Sequence, residues 1–468
     1  MAAMWGRIRV SEIADVIGGR MVSGAGDTVV QGLSTDTRQM GPGEAFWALK
    51  GERFDGHDFV DQAVARGASC VVADRDVSGR LPGKKDTPLL MVADTLRALG
   101  DLANWWRKEH AVRVAVITGS VGKTSTKEMA WEILSLRDEP LKNKGNFNNL
   151  IGLPLTILGL RPEQRRAVLE MGMNQPGEIA RLTEIADPDV GLITRIGRAH
   201  LEGVGDLAGV ARAKTELLTK ISRRSQAILN GDDNLLMETA APFGREFLTF
   251  GLGRDNDVRG HGAEDMGPEG VAFRLRFQGE EAKIRLRVPG QHNIYNALAA
   301  AAIALCMGEP LENVVKGLEN YRGMPGRFMV TRLENGAVLV DDTYNSNPAS
   351  LKAAMESVEA LAADGGRIII GLGDMLELGE NAREAHLEAG SMVAELGAAY
   401  FAALGDYAED MIRGALDKGF PRERTAVVRD HGEMVDALRE RMRGGDLVFL
   451  KGSRKVGLDR VAERLKAQ

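Results

Sequence analysis

The chain has 468 residues, 44% of them apolar and 27% charged, with a formal net charge of −6. That length exceeds what one hydrophobic core serves and fits roughly three domains. The acidic balance excludes a broad nucleic-acid footprint, which needs a basic face, and no uninterrupted apolar run approaches the length of a membrane span. Cys70 and Cys306 sit in the apolar contexts ASCVVA and IALCMG and read as small core residues rather than a disulfide or a metal pair. The N-terminal stretch is interrupted by Glu12 and Asp15 and has no signal-peptide core, so the expected location is the cytoplasm.

Residues 1–110 read as a first unit. Strands are expected at Thr28–Leu33, Ala45–Leu49 and Cys70–Ala73, with a helix across His57–Arg66. Leu96, Leu99, Leu102 and Trp106 recur at helical spacing and would close this unit, with Lys108–His110 as a hinge. A second unit, 111–325, alternates strand and helix as a parallel sheet requires, with strands at Val114–Thr118, Ala167–Glu170, Val190–Thr194, Ala227–Asn230 and Phe247–Phe250. Gly251–Gly270 reads as a long surface loop. After it, Phe273–Phe277 and Ile284–Val288 alternate apolar residues with arginines, the pattern of a β-hairpin with one wet face. The third unit, 326–468, resumes the alternation, with strands at Val338–Val340, Arg367–Ile370, Phe401–Leu404, Ala426–Val428 and Leu447–Leu450. Helices across Ala349–Ala363 and Glu384–Leu396 separate them, so this unit reads as Rossmann-like and doubly wound. The fold class is therefore α/β throughout.

The segment VAVITGSVGKTST (Val114–Thr126) carries the clearest chemistry. An apolar strand feeds the turn Gly119, Ser120, Val121 and Gly122, whose backbone N–H groups can approach phosphate oxygens. The helix that follows would aim its positive end at the same anion. Lys123 can reach the terminal phosphates, Thr124 can sit on Mg²⁺, and Ser125 follows them into the helix. The match departs from the strict phosphate-loop pattern because Ile117 stands five positions before Gly122. Glu170 ends the next parallel strand and is placed to hold Mg²⁺, unless it is simply a solvated strand end. His200 lies in a glycine-bounded turn and suits metal, a phosphoryl group in transit, or a structural hydrogen bond. Lys214 lies in a helix and gains interest only from this company. Asn293 and Asn296 share a helical face suited to a base edge, or Asn293 caps the helix. Asp342 follows a strand and can accept from ribose hydroxyls, and Tyr344 can stack on a base.

Taken in order, these motifs resemble those of the Mur ligases, the ATP-dependent amide ligases that build the peptide stem of bacterial peptidoglycan. STDTR (Ser34–Arg38), GPGEAFWAL (Gly41–Leu49) and KGERFDGHDF (Lys50–Phe59) are similar to that family's UDP-sugar-binding domain. TGSVGKTSTKE, KGNFNNLIGLP, LEMGMN, IGRAHLEGVG, ARAKTE and GQHNIYNALAA follow, then MPGR, DDTYNSNP, GLGDMLELG and LKGSR. DDTYNSNP is the pattern of the dipeptide-adding members, and the DNPR signature of the amino-acid-adding branch is absent.

The resemblance implies that UDP-N-acetylmuramoyl-tripeptide is activated by ATP as an acyl phosphate and captured by D-alanyl-D-alanine. It implies that Lys123 holds the terminal phosphates and that Thr124 and Glu170 bind one Mg²⁺. His200 would help to hold a second, and Lys214 would be carbamylated by CO₂ to become a metal ligand. Asn293 and Asn296 would face adenine, Asp342 ribose, and Arg327 the nucleotide from the third domain. Thr35, Thr37, Arg38, Gly51 and Arg53 fall at the uridine end, and Asn146, Asn148 and Asn149 near the acceptor. A monomer is implied. Arg195, Asp206, Thr215, Gly457 and Leu458 depart from the family's usual residues without removing a catalytic group. Two alternatives stay open: the amino-acid-adding ligase of the preceding step, and a phosphate-loop ATPase acting as a binding switch.

Overall fold

In the computed structural model the described residues are 5, 8–51, 53–81, 87–197, 201–362 and 366–467. Apolar runs of four to six residues form the interior strands, because a strand covered by helices on both faces has no polar side. In Arg113–Thr118, for example, Val114 and Val116 enter one core while Ala115 and Ile117 enter another across the sheet.

The first unit has a five-stranded sheet in the order Arg20–Ser23, Leu89–Met91, Cys70–Ala73, Glu44–Trp47, Gly32–Ser34, parallel except for its first strand. The expected helix across His57–Arg66 is a 3₁₀ turn, Gly56–Phe59, running into Val60–Ala65. The helix Thr95–Glu109 carries Leu99, Leu102 and Trp106 into a core that also contains Trp47 and Val72 of this sheet and Val116, Leu153 and Leu182 of the next. Trp5 stacks on Trp106 at 4.7 Å. The expected hinge at Lys108–His110 is thus the end of a helix fastened to both units, with Arg107 paired to Asp189.

The central sheet has nine strands. Its parallel part runs Val258–Asp265, Leu248–Gly251, Gln226–Asn230, Val190–Ile193, Arg113–Thr118, Arg166–Glu170, Leu141–Lys142. Val271–Phe277 and Glu280–Leu286 extend it as the expected hairpin, turning through Gln278 and Gly279, both at positive φ. The loop expected at Gly251–Gly270 is a correction: Val258–Asp265 is a strand, paired on both sides. Its sequence VRGHGAED buries only Val258 and Gly260, so neighbouring strands dictate its conformation where its own pattern does not.

From the strand Arg113–Thr118 the chain first builds one side of the sheet, Leu141–Lys142 and Arg166–Glu170, and then crosses to build the other from Val190–Ile193 onward. That is the topological switch point, where open α/β sheets form a crevice at their carboxyl ends. The third unit has six strands, ordered Met329–Arg332, Val338–Asp342, Leu447–Lys451, Ile368–Gly373, Tyr400–Leu404, Thr425–Val428, the first antiparallel. Two separate cores cover its faces, and both are built from its own residues alone. No described helix is long and apolar enough to cross a membrane.

Candidate active site

The crevice at the switch point opens into a cavity of about 600 Å³ between the central and third units. Ser120 to Ser125 line one wall. Gly119 (φ +141°) and Gly122 (φ +86°) cannot be replaced without collision. A Cβ on Gly119 would stand 2.0 Å from the Thr194 hydroxyl, and one on Gly122 2.3 Å from Asn296 Oδ1. The turn is braced by its neighbour strand: Ser120 N donates to Arg195 O, Ser120 Oγ donates to Gly197 O, and Thr194 Oγ1 donates to Val121 O. The hydroxyl of Ser120 is thereby committed to the fold. The helix Lys123–Leu134 begins with no side-chain cap, which leaves its first N–H groups facing the cavity. Lys123 folds back to donate to Gly119 O at 2.8 Å. Burial lowers its pKa, and Glu170 opposes that effect.

Glu170 is fixed on both oxygens: Thr124 Oγ1 donates to Oε2 and Asn148 Nδ2 donates to Oε1, each at 2.8 Å. Burial alone would raise its pKa, but Lys123, Lys127, Arg327 and the Thr124 hydroxyl outweigh it and keep the carboxylate ionised. Sequence reading missed the support behind it. Asn143 brackets the Glu170 backbone through both its amide atoms, at 2.9 Å each, and Lys127 Nζ, buried, donates to Asn143 O. Asn146 and Asn149 line the cavity with Asn148, and Asn149 Oδ1 is also occupied in accepting from Gly152 N.

Lys214 lies in the helix Leu207–Lys220, whose N-terminus Asp206 caps by accepting from Gly209 N. A serine there would do the same work, so this departure from the family pattern costs the helix nothing. The Lys214 side chain is fully buried, and its Nζ has no hydrogen-bond partner among the described residues. Burial, then the charge of Lys123, hold its pKa well below the ordinary lysine value, with Glu170 among the groups opposing. A buried amine with no partner is costly unless something else completes it. His200 lies outside the described residues.

From the other side, Arg327 Nη2 donates to Thr124 Oγ1 at 2.9 Å, and its guanidinium lies 4.0 Å over the Tyr344 ring. One face of the Tyr344 ring, which was expected to stack on a base, is thus covered by arginine. Asp342 accepts from Phe328 N and from Lys451 Nζ, and burial pulls both members of that pair toward their neutral forms. Lys451, from LKGSR, is a buried lysine at a strand's carboxyl end that sequence reading did not single out. Asn293 does not cap its helix, which starts at Gln291 after Gly290. Its Nδ2 donates to Pro289 O, and Asn296 Nδ2 donates to Asn293 Oδ1.

His292 lines the same cavity, with Nδ1 3.0 Å from Ser357 Oγ. Burial, helped by Lys451, brings its pKa down from 6.5 to about 4. As pH falls from 6.5 toward 4, the unfolded chain takes up a proton that the native histidine refuses, so stability declines through that window. His292→Gln removes this contribution, and urea midpoints measured between pH 6.5 and 4 are expected to fall less steeply than in the parent. Parallel curves would overturn this.

The residues expected at the uridine end do not line this cavity. They cluster on loops after Gly32–Ser34 and Glu44–Trp47 in the first unit. Thr37 is buried with Oγ1 near Gln62, Arg38 is exposed and held by Asp36, and Gly51 N donates to Phe54 O, next to exposed Arg53. Thr35 stands half-buried between them.

A sheet with a phosphate loop at its switch point, facing a second α/β unit across a charged cavity, defines a nucleotide-binding α/β protein. The comparisons agree. Residues 29–107 match the model described as Mur ligase family, catalytic domain, residues 117–304 the Mur ligase middle domain, and residues 326–454 the Mur ligase, glutamate ligase domain. The chain is 40% identical over 384 residues to the UDP-N-acetylmuramoyl-tripeptide–D-alanyl-D-alanine ligase of Escherichia coli strain K12, covering 82% of each. It superposes on MurF from Acinetobacter baumannii with a TM-score of 0.86 at 32% identity, covering 99% of this chain and 100% of that one. MurF ligase from Thermotoga maritima in complex with ADP gives 0.82 at 27% identity, covering 93% and 97%. The chain belongs to the Mur ligase family.

Proposed function

We infer that the protein is an ATP-dependent amide ligase that joins D-alanyl-D-alanine to the terminal carboxylate of UDP-N-acetylmuramoyl-tripeptide, a step in making peptidoglycan precursors. The observation that carries this reading is Lys214: a buried amine near Glu170 and Lys123, held well below the ordinary lysine pKa and without a hydrogen-bond partner among the described residues, suits capture of CO₂, and a simple nucleotide switch has no use for it. The tripeptide carboxylate attacks the γ-phosphorus, ADP leaves, and the resulting acyl phosphate is opened by the dipeptide amine with release of phosphate. Lys123 and the N–H groups of Gly122 to Thr124 hold the phosphates, which is electrostatic positioning rather than covalent catalysis. Arg327 adds a charge from the opposite wall. Asn293 and Asn296 face the base, Asp342 the ribose, and Asn146, Asn148 and Asn149 lie near the acceptor. Thr35, Thr37, Arg38, Gly51 and Arg53 take the uridine end, so the substrate spans from the first unit to the cavity.

The donor set fits divalent magnesium. Thr124, Glu170 and a carbamate on Lys214, with His200, would hold it, and the bound ions would neutralise charge on the phosphoryl group. We place the enzyme in the cytoplasm as a monomer.

Phosphate release from ATP is expected only when both the UDP-linked tripeptide and D-alanyl-D-alanine are present. Comparable turnover with a free amino acid in place of the dipeptide would reassign the chain to the preceding ligation.

A further inference from the structure

We propose that Glu377 binds the ammonium group of the incoming dipeptide and takes a proton from it as the new C–N bond forms, which rests on the ligase reading above. The carboxylate lies in GLGDMLELG, a motif whose chemistry is otherwise unassigned. It is exposed, lines the cavity, and stands where its charge bears on Lys123 across the interface.

Its backbone is the telling feature. Glu377 has φ +64°, a left-handed conformation that a non-glycine residue with a long side chain rarely adopts. Such strain persists only where the surroundings impose it, and it clusters at working sites. Here the surroundings are rigid. Asp374 accepts from Asp406 N and Tyr407 N, Met375 N donates to buried His386 Nε2, and Leu376 N donates to Ser453 Oγ. His386 stacks on Tyr407 at 4.4 Å, and Met375 and Leu378 are buried on either side of the exposed pair Leu376–Glu377. The loop is anchored at both ends and turned outward at Glu377.

Of the other carboxylates lining the cavity, Glu170 and Glu178 lie on the central unit, held by Thr124 and Asn148 and by the N–H groups of Asn174 and Gln175, and Asp342 is paired with Lys451; beside them stand the cations Lys123, Arg327, Lys451, Arg454 and Lys455. Those suit phosphates and carboxylates but repel an ammonium, and a peptide α-amino group has a pKa of roughly 8 and arrives protonated. The amine needs an anion on the side from which it approaches, and the third unit supplies one in Glu377. One N–H proton passes to the Glu377 carboxylate, which frees the nitrogen lone pair. That nitrogen bonds to the acyl carbon, the C–O bond to phosphate breaks with its electron pair staying on phosphate, and phosphate takes the second proton. Glu377 returns its proton to water.

Two variants test this, Glu377→Gln and Glu377→Gly, the second relieving the left-handed strain as well. With ATP and UDP-tripeptide but no dipeptide, hydroxylamine trapping reports acyl phosphate formation. Both variants are expected to form hydroxamate within about twofold of the parent while kcat/KM for D-alanyl-D-alanine falls roughly 10²-fold. An equal fall in hydroxamate would place Glu377 in the phosphoryl step, and a dipeptide kcat/KM within about threefold of the parent in either variant would remove it from the reaction. Failure of the parent itself to make amide from the dipeptide would sink the ligase reading instead.

Discussion

Lys214→Ala is expected to lower kcat by about 10²- to 10³-fold, with partial recovery when a short carboxylic acid such as acetate is added. The physical reason is the buried Nζ, without a hydrogen-bond partner among the described residues. Carbamylation requires the unprotonated amine, which attacks CO₂, loses a proton and becomes an anion. An exposed lysine near neutral pH is overwhelmingly protonated, but Lys214 is held well below its ordinary value by burial and by Lys123. The sign follows: activity of the parent declines as falling pH protonates this amine, and returns with bicarbonate at higher pH. ¹³C-bicarbonate is expected to give a carbamate carbon signal in the parent and none in the variant. Full turnover of Lys214→Ala in CO₂-free buffer would end this account of the site.

Lys123→Met is expected to cost on the order of 10³-fold or more in kcat, because it removes the one cation mounted on the phosphate loop itself. Unlike the Glu377 variants, it should abolish trapped acyl phosphate and amide product together, since both depend on the phosphoryl transfer. The fold should survive. The lysine is desolvated and among the described residues donates to Gly119 O alone, so a methionine of similar length gives up that hydrogen bond and the attraction to Glu170 while filling the same space. Hydroxamate formation at the parent's rate would show that the helix N-terminus and Arg327 suffice without it.

Much of this site was legible in the sequence because its residues sit at fixed offsets from strands that announce themselves. Val114–Thr118 and Ala167–Glu170 are covered on both faces and read as apolar runs, so the groups at their ends, Gly119 to Thr124 and Glu170, could be placed at one sheet edge. Val258–Asp265 was not legible, since nothing in VRGHGAED marks it as a strand until its partners supply the hydrogen bonds. Supporting residues were equally silent. Lys127 and Lys451 are fully buried, yet a lone lysine in a sequence has the same appearance on a surface as in a core. Only the folded chain shows Lys127 holding Asn143, and Asn143 holding the backbone of Glu170. Tyr344 lines the cavity, and the arginine seventeen residues earlier that lies over its ring is a neighbour that only the folded chain shows.

The apolar core that runs through Trp106 has a further implication for how such an enzyme can be rebuilt. Side chains from the first unit and the central unit interlock around one helix, so a foreign first unit would arrive with knobs that do not match the holes. The C-terminal unit keeps both of its cores to itself and meets its neighbour through polar contacts such as Arg327 to Thr124. The C-terminal unit is therefore the part of this architecture that evolution or an engineer can exchange as a cassette, whereas the first unit must be retailored residue by residue along its shared core.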